Sequence, residues 1–96
     1  METLSQRTKR VIKDAGISAR ILSSVAKVHY TTVYNLLRSP NGEYELRCRP
    51  LVVESITHVL NNVERLIQEQ VLPYPQGTRH DAIIENLEKL IHTTEA

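Results

Sequence analysis

The spacing of apolar residues between Ala19 and Arg38 (ARILSSVAKVHYTTVYNLLR) leaves this chain few folds to choose from. Leu22 and Ala26 lie one turn apart and define the inner face of a first short helix. Val28 follows too soon to continue that face at 3.6 residues per turn. Val33, Leu36 and Leu37 then resume helical spacing on a second short helix. Small Ser23 falls where the two helices approach, and Val28 is tucked under the turn between them. That is how a helix-turn-helix is built. An ordinary pair of packed core helices fits the same spacing, and the apolar positions alone do not separate the two.

Leu22, Ser23, Ala26, Val28, Val33 and Leu36 match the inward positions of the helix-turn-helix in lambda-type repressors and Cro proteins, a family that this stretch resembles. Two positions depart from the family pattern. Lys27 stands where a Gly usually takes positive φ, a conformation that costs another residue on the order of 1 kcal/mol. His29 stands where Ser or Thr usually caps the second helix, so a poorer cap is expected. The resemblance implies an all-α, lambda-repressor-like bundle of about five helices, whose second short helix enters the major groove of DNA.

With Val33, Leu36 and Leu37 facing inward, that helix turns Tyr30, Thr31, Tyr34, Asn35 and Arg38 outward. Tyr30, Thr31, Tyr34 and Asn35 are therefore the expected base readers. Asn suits adenine N6 and N7, Tyr and Thr hydroxyls can bond bases or phosphates, and Thr methyls can meet thymine methyls. Arg20, Lys27, His29, Arg38, Arg47 and Arg49 are expected on the DNA backbone. Taken singly, each of these side chains also fits a solvated surface position. Over residues 13–66, the run KDAGIS, the two short helices and a loop ending Arg-Pro before a long helix are similar to the small autoregulators found beside anti-CRISPR genes.

Upstream, Thr3 and Gln6 form a capping box ahead of Leu4, Thr8, Val11, Ile12 and Ala15, which share one helical face. Gly16 is expected to stop this helix in the left-handed conformation, and Ser18 to cap the next. Arg7, Lys9, Arg10 and Lys13 lie on other faces, a basic surface expected within reach of phosphates. Downstream, Ser39-Pro40-Asn41-Gly42 signals a turn. Tyr44, Leu46 and Cys48 then alternate with Glu45, Arg47 and Arg49, as in an extended loop along DNA, with Cys48 a small buried hydrophobe.

Pro50 suits the first position of a long helix striped by Val52/Val53, Ile56, Val59/Leu60, Val63, Leu66/Ile67 and Val71. The Pro- and Gly-containing run from Leu72 to Gly77 ends it. Thr78 with Asp81 predicts a second capping box before a helix over 79–93. The expected organisation is a DNA-binding domain over 1–72, a linker over 73–78 and a C-terminal dimerisation helix over 79–96. Leu66, Ile67, Ile83, Ile84, Leu87, Leu90 and Ile91 form the expected dimer interface.

Charge supports the same division. Residues 1–50 carry nine Lys/Arg against four Asp/Glu, while 51–96 carry three against seven, so the net +1 joins a basic half to an acidic one. Chance clustering in a short chain gives the same asymmetry. With no Phe or Trp and four Tyr the core must be aliphatic, and no small-molecule ligand is expected. One Cys excludes an internal disulfide and suits a reducing cytosol. No apolar run approaches the about 18 residues that a membrane span needs. The N-terminus also lacks a secretion signal's apolar core, so a cytoplasmic location is expected.

The four His show no metal-ligand spacing, and neither a phosphate-cradling Gly loop nor a nucleophile or acid–base arrangement stands out. No metal, cofactor or enzymatic activity is expected. The chain is expected to be a homodimeric, sequence-specific DNA-binding repressor on a palindromic operator. Two other classes stay open. One is a protein-interaction module, such as an antitoxin or anti-regulator, gripping a partner through Leu66, Ile67, Ile83, Leu87 and Ile91. The other is a DNA-bending recombination factor.

Overall fold

Five α-helices make up the computed structural model, which describes residues 2–39, 43 and 48–92. They are α1 (Leu4–Ala15), α2 (Ala19–Ala26), α3 (Tyr30–Leu37), α4 (Pro50–Gln68) and α5 (His80–His92), and no strand occurs among the described residues. The expected turn at Pro40-Asn41-Gly42, the alternation through Tyr44, Glu45 and Leu46, and the backbone contact assigned to Arg47 lie outside the described residues.

The helix ends follow the local chemistry. Thr3 Oγ1 accepts the Gln6 N–H and Gln6 Oε1 accepts the Thr3 N–H, both at 3.1 Å, so the capping box closes. Gly16 ends α1 at φ 66°, its N–H donating to the Ile12 and Lys13 carbonyls. A Cβ there would stand 3.1 Å from Pro73 Cβ, so both conformation and space favour Gly. Ser18 Oγ accepts the Ile21 N–H at 3.2 Å and starts α2. Lys27 ends α2 in the left-handed conformation, at φ 59°, ψ 38°. His29 caps α3 through Nδ1, which accepts the Thr31 N–H at a long 3.3 Å, the poorer cap expected of an imidazole.

One aliphatic cluster joins all five helices, with Val11, Leu22, Leu36, Leu60, Leu87 and Ile91 each almost fully buried. α2 is its hub and packs against α3, α4 and α5, while α1 lies on α3 and α4. On α2, Ile21, Leu22, Val25 and Ala26 are all buried, too wide an arc for one neighbouring helix to cover. α5 covers the remainder. His92 Nε2 lies 2.7 Å from the Val25 carbonyl and ties the C-terminal turns of α5 and α2 together.

That arrangement corrects the expected dimer seam. Leu66, Ile83, Leu87 and Ile91 are buried in the chain's own core, and Ile67, Ile84 and Leu90 pack against its margin. Their apolar stripe already has an intramolecular partner. The segment over 73–78 is mostly exposed but tethered at its start. Leu72 is buried, Pro73 approaches Gly16, and the half-buried Tyr74 donates its hydroxyl to Asn86 Oδ1 on α5.

Three further expectations shift. α5 opens one residue later than a Thr78 cap would place it. Arg79 O accepts the first helical bond, from the Ile83 N–H at 3.0 Å, while the Thr78 hydroxyl donates to Pro75 O at 2.6 Å. α4 ends at Gln68 because Gln70 turns to φ 63° and Val71 N–H folds back onto Leu66 O, which leaves Val71 exposed. The basic surface of α1 is partly neutralised within the chain. Arg7 donates to Glu64 at 2.8 Å and Asn61 at 2.5 Å, locking α1 onto α4. Arg10 donates to Glu2 at 2.9 and 3.0 Å, and its guanidinium holds the Glu2 carboxyl below the usual carboxylate range. No helix among the described residues is long and apolar enough to cross a membrane.

Candidate nucleic-acid interface

α3 is an uncharged helix, YTTVYNLL, anchored by the buried Val33 and Leu36. Its 3.6-residue period therefore presents Tyr30, Thr31, Tyr34 and Asn35 to solvent, and all four are exposed. Tyr30 and Tyr34 keep 40% and 45% of their surface exposed, a large share for side chains of this size.

The two phenols do not point independently. Their rings stack with centroids 6.1 Å apart and planes inclined by 26°. The Arg20 guanidinium carbon lies 5.5 Å from the Tyr30 centroid, and that of Arg38 lies 5.4 Å from Tyr34. The result is a four-membered row, Arg20–Tyr30–Tyr34–Arg38. Tyr30, Tyr34 and Arg38 follow one another at i, i+4 and i+8 on the α3 ridge. Arg20 joins from the first turn of α2, which the left-handed turn at Lys27 sets beside α3. Each cation–π contact at an exposed site contributes about 0.5–1 kcal/mol, enough to bias long side chains toward one arrangement. Arg38 also forms the C-cap of α3, where its charge complements the negative end of the helix.

Electrostatically the row is one-signed. From Ala15 to Gly42 the chain contains no Asp or Glu. This acid-free run was open to inspection in the sequence: Arg20, Lys27 and Arg38 have no carboxylate within it, whereas Arg7 and Arg10 of α1 pair with Glu64 and Glu2. What the row can do chemically is donate hydrogen bonds and cationic charge from its ends, and present phenol rings and hydroxyls between them.

The other expected contacts divide. Asn35 is exposed one turn from Thr31. The Thr31 hydroxyl is engaged at 2.8 Å with His29 Nδ1, so both side chains are committed to the cap. Lys27 is exposed, yet it lines a shallow groove of about 300 Å³ with Glu85, Glu88, Lys89 and His92. Sequence spacing cannot foresee that neighbourhood, because it depends on α5 folding across α2. Arg49 is the exposed N-cap residue of α4 and stands outside the stacked row. His58 and His92 are half-buried and face one another between α4 and α5 with centroids 6.4 Å apart. Among the described residues no group of three or more His, Cys, Asp or Glu side chains is placed to hold a metal ion.

Comparison with protein-family models, with curated proteins and with solved structures returns no match.

Proposed function

We propose that α2 and α3 form a lambda-repressor-like helix-turn-helix and that the chain binds duplex DNA sequence-specifically, as a small transcriptional repressor of the phage or bacterial type in the cytoplasm. The observation that carries this reading is the exposed, acid-free row of Arg20, Tyr30, Tyr34 and Arg38 on the ridge of α3. The left-handed turn at Lys27, with Val28 packed against the core beneath it, adds the local geometry such a motif uses.

In this mechanism α3 enters the major groove. Tyr30, Tyr34 and Asn35 meet base edges, while Arg20 and Arg38 neutralise phosphates on either side. Repression follows from occupying a promoter. A palindromic operator would seat two copies, and these would meet through residues other than the buried Leu66, Ile83, Leu87 and Ile91. The same burial weakens the protein-interaction alternative, since four of the five side chains it relied on fill the core.

Fluorescence anisotropy of the purified protein against duplex from the region upstream of its own gene tests the proposal. Wild-type protein should prefer one segment over random duplex by a large factor. Asn35→Ala should lower that preference by about 1–3 kcal/mol, and Leu51→Ala, an exposed position on α4 outside the row, should leave it intact. Equal affinity for all duplexes would overturn the proposal.

A further inference from the structure

The exposed surface of α3 also restricts which base pairs it can read. In the major groove guanine is recognised mainly by Arg or Lys, cytosine by Glu or Asp, adenine by Asn or Gln, and the thymine methyl by apolar contact. From Tyr30 to Leu37 α3 carries none of the charged types. Arg20 and Arg38 are drawn to the two ends of the row by their stacking on Tyr30 and Tyr34, and Lys27 shares a groove with Glu85 and Glu88. The Thr31 hydroxyl is occupied by His29. What remains at the centre of the surface is one carboxamide, Asn35, beside two stacked phenol rings with centroids 6.1 Å apart. That inventory lacks the usual guanine and cytosine readers.

We infer that the centre of the recognised half-site is A·T-rich, with Asn35 on an adenine and thymine C5-methyl groups packed against the exposed edges of Tyr30 and Tyr34. The inference rests on the proposed duplex-DNA function and specifies its target. The Arg residues at the ends of the row take phosphates, which carry no sequence information. Specificity is concentrated in the three central side chains. Because the rings are braced by one another and by the guanidiniums, little side-chain freedom is lost when methyl groups pack against them.

Selection of bound sites from a random duplex library, followed by replacement of single thymines with deoxyuridine, tests this. Deoxyuridine keeps the base pair and removes only the methyl group, so the protein is unaltered throughout. Selected half-sites should share an A·T core. Each thymine at the ring edges should lose roughly fourfold in affinity on replacement, the value of one buried methylene-sized group. In Tyr30→Ala/Tyr34→Ala protein that sensitivity should vanish, while salt-dependent binding to phosphates persists. A selected core rich in G·C, or an A·T core indifferent to deoxyuridine, would overturn the inference and leave duplex binding standing. Recovery of no preferred duplex at all would overturn both.

Discussion

Replacing Leu87 with Ala separates a side chain that builds the fold from one reserved for a second subunit. Leu87 is 0% exposed, in the cluster that α5 shares with α2 and α4. Truncation removes three buried carbons, about 2.5 kcal/mol at about 0.8 kcal/mol per methylene. Neighbouring helices close only partly over the space left, which brings the expected loss to about 3–4 kcal/mol. For a domain with about 5–15 kcal/mol in total, that is a large fraction. Urea unfolding followed by far-UV circular dichroism reads it directly. With a slope of about 1–1.5 kcal/mol/M, the midpoint should fall by about 2–4 M. It should also stay constant over a hundredfold range of protein concentration, because the contacts lie within one chain. A subunit seam would make the midpoint rise with concentration. A drop of less than about 0.5 M would refute the placement of α5 over α2.

Lys27→Gly should stabilise the chain by about 0.5–1 kcal/mol, since the residue sits at φ 59° where Gly carries no Cβ penalty; thermal unfolding measures it, and an unchanged or lower midpoint would contradict the left-handed turn. Arg20→Ala should weaken binding to all duplexes alike and reduce the salt slope by about one unit. Lys27→Ala should do less in the same titration, because Glu85 and Glu88 share its groove and offset its charge. Equal losses for the two variants would mean that α5 leaves Lys27 fully available to phosphate.

Most helix boundaries were readable because they are set by neighbours in sequence. The Thr3–Gln6 box, Gly16, Ser18, Lys27 and Pro50 each act within one turn of the chain, so residue type and spacing carry the information. The outward side chains of α3 were readable for a similar reason: Val33 and Leu36 fix the phase of an eight-residue helix. What failed was everything that depended on where α5 goes. An amphipathic stripe states that a partner exists and not which one, so Ile83, Leu87 and Ile91 suited a dimer as well as they suit α2. The same gap hid the acidic company of Lys27 and the meeting of His58 with His92. Arg7 and Arg10 were misplaced for an electrostatic version of this reason. A count of charges along the sequence does not reveal that Glu64, on a helix far down the chain, folds back beside them.

The phenol pair also gives the molecule a built-in optical signal. The chain has no Trp and four Tyr, so Tyr30 and Tyr34 supply half of its near-ultraviolet chromophores. Coupled transitions of two rings held 6.1 Å apart depend on their mutual orientation, and Arg20, which completes their row, belongs to a different helix. Near-ultraviolet dichroism of the unlabelled protein should therefore register both occupancy of the ridge and any change in the angle at which the two short helices meet.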